Sequence, residues 1–538
     1  MSPAPSQPAG SKRAIGEALL NRNRFRILGL TPDELIKYFF NGNAVVAIVV
    51  LALITIFLFR EGAGFFGQNM QNLRIYRLAG LEYVDFIRRQ VDEHTALNRA
   101  LNESRLAQFH RMTAAGQTVE QVNESLAPFD AFATAFGDSV EDVLGVLSDL
   151  TEAATAIKQK EQVNGDRLEQ KAMLLGAGKK EEAAGITVTS VDFAAETVTL
   201  KGAFPAYQEA NRQFAAKLQA ALVTAPVMPD AKLQKQIDSV KAQAQALMAS
   251  FPDTEREMQA WKYDEPIPLH RSLTSFLFGR EWLTASFWQD WYGIVPLFVG
   301  SLLVSLIALA IAVPLGISAA IYVSEIATLR EKNFIKPYIE FISAIPSVVL
   351  GFFGIAVLGT ALRALSQLSF LSWFPGFPMS ERLNSLTAGC LLALMAVPTI
   401  FSLAEDALNN VPKHFKEASY ALGANRFQTI SRILVPASLS GIISAILLGF
   451  GRVIGETMVV LLCAGNRIAI PDFTEGLGAF FQPVHTMTGI IAQEMGEVVT
   501  GSIHYRALFM VGIMLFLLSL GINYVAQILV RRYRISIG

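Results

Sequence analysis

Residues 417–441 read "EASYALGANRFQTISRILVPASLSG", a polar loop that leaves one apolar run, 383–404, and leads into another, 433–451. Ala418, Ala421 and Leu422 give a short helix an apolar face, Gly423 ends or bends that helix, and Pro436 opens the next apolar span. A short helix displayed on a loop is suited to insertion into a groove on another protein. The fold then turns on what the flanking apolar runs are.

The 538-residue chain is 52% hydrophobic and 17% charged, where a soluble protein carries about 25% charge. Charge-free runs occupy residues 38–59, 291–324, 341–362, 383–404, 433–451 and 507–530. Each is near or above the ~20 residues with which a helix crosses ~30 Å of hydrocarbon. The expected fold is an all-α integral membrane protein with six transmembrane helices. The first apolar run starts late, runs long and lacks a small-residue cleavage site, so no signal peptide is expected.

Basic residues set the expected orientation. Lys12, Arg13, Arg22, Arg24, Arg26 and Lys37 lie in the head, and Arg330, Lys332 and Lys336 follow span 2. Lys413, Lys416, Arg426 and Arg432 follow span 4, and the tail reads "RRYRISIG". All fall on one side if both termini are cytoplasmic. The chain then divides into a cytoplasmic segment 1–37, a first span 38–60, an outer insertion 61–290, and a membrane core 291–538 with a cytoplasmic loop at 405–436. Trp261, Trp282, Trp288, Trp291 and Trp373 all belong to the outer side. Trp282, Trp288 and Trp291 stand near the start of span 2, as an interfacial belt would place them.

The insertion carries 23 Lys+Arg against 31 Asp+Glu, leaving the rest of the chain net positive. Apolar residues at Val119, Val122, Leu126, Phe129, Phe132, Phe136, Val140, Val143, Leu147 and Leu150, and later at Leu233, Ile237, Val240, Leu247 and Phe251, recur at helical spacing. Residues 186–200, "ITVTSVDFAAETVTL", alternate with β-branched residues and predict a two-stranded hairpin. The stretch "GAGKKEE" at 176–182 is no phosphate loop, because Met173 and Lys180 occupy the positions that need glycine and Ser/Thr. His94 and His110 have no Cys, Asp or Glu partners at metal spacing, so no metal site is expected. Cys390 and Cys463, the two cysteines, both fall in apolar runs and read as packing residues rather than as a disulfide. The insertion has no chemistry of its own on this reading, and docking or scaffolding is its expected role.

The loop resembles the EAA signature of permeases in ATP-binding-cassette importers, E-A-A-x3-G-x9-I-x-L-P. It departs from that pattern at Ser419 and Val435. Residues 296–325, 338–354 ("YIEFISAIPSVVLGFFG") and 451–466 ("GRVIGETMVVLLCAGN") resemble the phosphate-specific permeases, PstC-type more than PstA-type. The resemblance covers span 1 and about 280 residues in all; the insertion departs from shorter members. It implies the type I ABC importer permease fold in a bacterial inner membrane. It also implies a second, PstA-type permease subunit, a dimer of PstB-type ATP-binding chains, and a periplasmic PstS-type phosphate-binding protein. On this reading the chain holds no catalytic residue and no cofactor, binds no nucleic acid, and meets the ATPase through Glu417, Ala418, Gly423 and Ala424. A permease for sulfate or molybdate, and a membrane-anchored sensor or scaffold, are the alternatives.

Residues 449–466 place Arg452 and Glu456 inside an apolar run. A charge at the bilayer centre costs at least ~2.5–3.5 kcal/mol, so such residues face a bundle interior or a cavity. Four apart in a helical span, the two share a face. They read either as an ion pair that braces the bundle or as part of a phosphate path, where the guanidinium meets the anion and the carboxylate competes for it. Gly449, Gly451 and Gly455 permit close helix approach, or leave room for an anion. Thr457 is a hydroxyl donor to phosphate or to its own backbone, and Ser347 with Pro346 breaks span 3 and exposes backbone donors.

Overall fold

The computed structural model describes residues 32–533 apart from 285, 287, 372 and 375. The head's Lys12 to Arg26 and the last five residues of the tail lie outside the described residues. Five helices are long and apolar enough to cross a membrane: Ile36–Leu78, Val295–Ile326, Ser347–Ser366, Ser385–Asn409 and Ile503–Arg532. A sixth is formed if Arg426–Ala437 and Leu439–Ile454, bent by 68°, count as one span.

Helix α1, Pro32–Leu78, runs for 47 residues without a break, which is about 70 Å at the α-helical rise. It therefore crosses the expected boundary at residue 60 and enters the insertion as one rod. Its first half leaves Phe39, Phe40, Val46, Leu51 and Ile56 exposed. Farther along it docks on the last helix, with Phe57 edge-on to Phe509 and the bare face of Gly62 against Met510 and Ile513.

Gly80 in the left-handed region turns the chain into α2, Leu81–Ala114. The insertion continues through α3 (Val119–Asp138), α4 (Glu141–Gly176), α5 (Phe204–Val223) and α6 (Ala231–Ala260). The helical stripes close into one core: Val122, Leu126, Phe129, Phe132 and Phe136 meet Phe214, Ile237, Val240 and Phe251. Val119, at the end of the first stripe, is exposed. His94 belongs to this core, stacked on Phe136 with Nε2 at 2.9 Å from the Phe136 carbonyl, and burial holds its pKa down.

The predicted hairpin does not form. Phe193–Gly202 is an α-helix whose start is capped by the Asp192 carboxylate accepting from Ala195 N–H at 3.1 Å. The cap and the Ala-Ala-Glu that follows favour helix over the β-branched alternation. Thr197 and Leu200 turn into the core three residues apart.

A short antiparallel ribbon, β1 (Trp282–Leu283) and β2 (Trp291–Tyr292), joins the insertion to the membrane core. Here the tryptophan expectation is corrected. Trp282 and Trp288 are buried, the first edge-on to Tyr292 and the second under the Arg88 guanidinium at 3.7 Å. They weld the junction together, and of the five only Trp373 is largely exposed.

The core comprises α7 (Val295–Ile321), α8 (Leu329–Ser343), α9 (Ser347–Phe353), α10 (Gly359–Ser366), α11 (Ser385–Asn409), α12 (Lys413–Ala421), α13 (Leu439–Ile454), α14 (Met458–Cys463), α15 (Met487–Glu494) and α16 (Ile503–Tyr533). α7 and α11 pack along their length, α13 lies against α11, and α16 closes on α13 and α1. The third apolar run, 341–362, is cut: residues 341–343 finish α8, and the span restarts at Ser347 after Pro346. Cys463 is buried and free, its thiol donating to the Gly351 carbonyl at 3.3 Å, and Cys390 is free as well.

Two predictions follow from this packing. A Cβ at Gly300 would stand 2.0 Å from the His485 carbonyl oxygen, next to the bond by which Ser301 Oγ accepts from Met487 N–H at 2.8 Å. Gly300→Ala should destabilise the core by ~1–3 kcal/mol, read as a lower Tm in detergent. In the insertion, burial pushes the Asp85 carboxyl up to about 6, against the hydrogen bond from Tyr76 and the nearby Arg88. A raised carboxyl favours the protonated fold, so this stability is complete below the ordinary pKa of ~3.9 and lost as pH rises to the folded value. Asp85→Asn should flatten the fall of Tm across that window; an unchanged slope would refute the assignment.

Candidate functional site

The loop between α11 and α13 is built from local signals. Pro412 precedes α12, and Gly423, at φ +81°, supplies the left-handed residue that ends it. Gly423 N–H donates to the Tyr420 carbonyl at 2.9 Å and Ala424 N–H to the Ser419 carbonyl at 3.1 Å, the paired bonds of a Schellman ending. Asn425 and Gln428 then form a capping box that starts Arg426–Thr429. Pro436 sits in the three-residue helix Val435–Ala437, and the apolar span proper starts beyond the bend, at Leu439.

α12 turns one face outward and one toward the core. Glu417, Ala418, Ala421 and Gly423 are exposed, Ala424 is half-buried, and Leu422 is 89% exposed. Phe427 across the turn is 77% exposed. The apolar face of the short helix is therefore displayed rather than packed. The buried side is polar: Ser419 shares a hydrogen bond with Thr429 at 2.9 Å, and Lys416 pairs with Glu325. Ser419, a departure from the signature's alanine, is thus a link across the turn.

Arg452 and Glu456 are rearranged. α13 stops at Ile454, and Gly455 N–H closes the last turn on the Gly451 carbonyl at 3.3 Å. Glu456 lies past that end and no longer continues the helical face of Arg452. Among the described residues the two form no ion pair. Glu456 Oε1 instead accepts from Met458 N–H at 3.2 Å at the start of α14, and its carbonyl accepts from Thr488 Oγ1 at 2.9 Å. The exposed Arg452 donates from Nη1 to Thr399 Oγ1 on α11 at 2.9 Å. Nothing in the sequence marks Thr399, whose only tie to Arg452 is the packing of α11 on α13.

The three glycines divide. Gly449 is a contact glycine, its bare face against Ile400, where a Cβ would lie 2.7 Å from the side chain. Gly451, beside Arg452, has nothing within 4 Å of such a Cβ, and Gly455 meets only the carbonyls of its own preceding turn. Close approach explains the first; open space surrounds the second.

Ser347 heads α9 and is half-buried. α9 packs on α14, with Gly351 against Leu462 and Gly354 against Cys463. Thr457 precedes α14 and donates weakly to the Gly455 carbonyl at 3.5 Å. Ser347 and Thr457 thus stand at the starts of two contacting short helices. Among the described residues, Ser347 forms no hydrogen bond with Arg452, Glu456 or Thr457. No group of three His, Cys, Asp or Glu side chains able to hold a metal ion occurs among the described residues.

Residues 312–535 match the family model of the binding-protein-dependent transport system inner membrane component. The chain is 36% identical over 259 residues to a Bacillus subtilis protein named probable ABC transporter permease protein YqgH, across 46% of this chain and 78% of that one. It is 30% identical to the phosphate transport system permease protein PstC of Pasteurella multocida, across 48% and 80%. The PstC of Mesorhizobium japonicum is 31% identical, across 47% and 79%. A solved inward-facing methionine ABC transporter, MetNI, covers 45% of the chain at 18% identity with a TM-score of 0.32.

Gly423→Ala should weaken the α12 ending by the ~1–2 kcal/mol that a side chain costs in the left-handed region. Amide exchange at Gly423 and Ala424 would then accelerate ~5–30-fold. Ser419→Ala should leave that exchange close to wild type, because the Thr429 hydroxyl still donates to the Asn425 carbonyl at 3.1 Å.

Proposed function

The chain belongs to the binding-protein-dependent transport permeases, and we propose that it is the membrane subunit of an ATP-driven phosphate importer. The observation that carries the pathway assignment is Arg452, an exposed guanidinium on an apolar helix, held by a neutral hydroxyl and flanked by open space at Gly451. A guanidinium left in an apolar environment is costly unless it faces a cavity, a partner or a ligand. Phosphate is the anion that the names of the PstC relatives supply.

Arg452 receives the anion through its paired donors. Thr399 holds the guanidinium in place while the path is empty, the part first expected of Glu456. Glu456 stays close by as the cap of α14 and supplies the negative charge that weakens binding enough for release. Thr457 and Ser347, at the heads of α14 and α9, offer hydroxyls to the same anion. ATP hydrolysis takes place on separate, PstB-type chains, which engage the exposed face of α12 through Glu417, Ala418, Gly423 and Ala424. A PstA-type permease completes the path, and a PstS-type binding protein delivers phosphate from outside.

In the membrane, the bent pair 426–454 serves as the fifth of six spans, with both termini cytoplasmic and the insertion periplasmic in a bacterial inner membrane. The basic residues around α8 and α12 support that orientation. An anchored scaffold has no use for the displayed α12, which argues against that alternative. A guanidinium would meet sulfate or molybdate with the same paired donors, and transport decides between them.

The test is uptake in proteoliposomes that hold the assembled transporter. Wild type should accumulate phosphate in preference to sulfate and molybdate. Arg452→Gln should reduce uptake to background while membrane insertion and ATPase association persist. Uptake near the wild-type level would remove Arg452 from the path.

A further inference from the structure

We propose that the Lys416–Glu325 ion pair is a positioning device that fastens α12 to the adjoining end of α7, so that movement imposed on α12 reaches the membrane helices. This rests on the reading of α12 as the surface that meets the ATPase. Lys416 projects from the inner side of α12, and its ammonium meets the Glu325 carboxylate on the π-helical turn Tyr322–Ile326 that finishes the second span. The Glu325 side chain is only 8% exposed. Besides Lys416 it has the Ser324 hydroxyl at 3.5 Å. A carboxylate so enclosed depends on its cation, because removing one partner of a buried pair leaves an uncompensated charge.

The pair is also singular in its place. Among the described residues it is the one side-chain hydrogen bond or ion pair between α12 and any span other than the fifth, which Ser419 reaches through Thr429. From Glu325 the polar contacts continue. Ser324 donates to Asn409 at the end of α11 at 3.0 Å, and the Asn409 amide reaches Glu405 at 3.4 Å. Glu405, 1% exposed, lies 2.9 Å from Lys336 and 3.6 Å from Lys332, both on α8. One chain of charges and dipoles thus runs from α12 through α7 and α11 to α8, the helix that leads into Pro346 and α9.

The test uses the full chain assembled with its partner permease, ATPase and binding protein in proteoliposomes, and measures anion moved per ATP hydrolysed. Lys416→Met and Glu325→Gln should each lower that ratio about tenfold or more, with ATP hydrolysis close to the wild-type rate. The charge exchange Lys416→Glu with Glu325→Lys should restore it. Single variants that keep the wild-type ratio, or an exchange no better than the singles, would overturn the proposal. A second readout needs no knowledge of the anion. Glu325→Cys with Lys416→Cys, in a background of Cys390→Ala and Cys463→Ala, should be bridged by a bifunctional maleimide equally with and without ATP. Loss of the cross-link in the ATP-bound state would show that α12 parts from α7, and would equally overturn the fastening. A wild-type transporter that moves no phosphate refutes the substrate reading, and the cross-link still decides on the pair.

Discussion

Hydrocarbon offers a backbone amide nothing to bond to, and every interruption of a helix inside an apolar segment must therefore be satisfied by the protein itself. Among the described residues, the core interrupts its helices at three such places: before Ser347, at Ser438, and between Ile454 and Met458. The third break is the most fully furnished. Glu456 takes up Met458 N–H, Thr488 donates to the Glu456 carbonyl, and Gly455 N–H closes on Gly451. A carboxylate that composition alone marks as an oddity is thus part of what makes a broken helix tolerable. The break in turn ends α13 two residues after Arg452 and leaves its side chain exposed, bonded to the Thr399 hydroxyl. At the second break the Ser438 hydroxyl bonds back to the Leu434 carbonyl at 2.8 Å, so the 68° bend keeps its polar groups engaged.

The loop entering α13 obeys a different economy. Residues 410–425 lie outside the apolar spans, so exposed polar groups cost little and local turn chemistry decides the shape there. Glycine at a left-handed position and a Schellman ending close α12, and a capping box starts Arg426–Thr429, with few tertiary contacts. That leaves Leu422 and Phe427 free to be displayed, while Lys416 and Ser419 hold the helix from behind.

Legibility in the sequence followed the range of the interactions. The six apolar runs and the helical stripes of the insertion could be read because burial and period are local properties: Phe129, Phe132 and Phe136 face the core as their spacing requires. Gly423 could be read because its turn is formed by its own neighbours. What could not be read depends on contacts distant in sequence. The bond from Arg452 to Thr399 spans 53 residues, and the pair Lys416–Glu325 spans 91. Helical spacing puts Arg452 and Glu456 on a common face only if the helix continues, and α13 stops at Ile454. The 186–200 stretch failed for the opposite reason: a single N-cap, Asp192, outweighed an alternation of Thr and Val. Trp282 and Trp288 have the composition of an interfacial belt, yet the aromatic and cationic partners that bury them come from elsewhere in the chain.

The unbroken α1 has one more consequence. A helix whose apolar length exceeds the hydrocarbon thickness adapts by leaning over. Here the same rod carries on to Leu78 and is pinned to the insertion by side chains such as Asn69, which donates to the Ser272 carbonyl at 3.1 Å. The attitude of the entire insertion is consequently geared to the thickness of the lipid around residues 36–59.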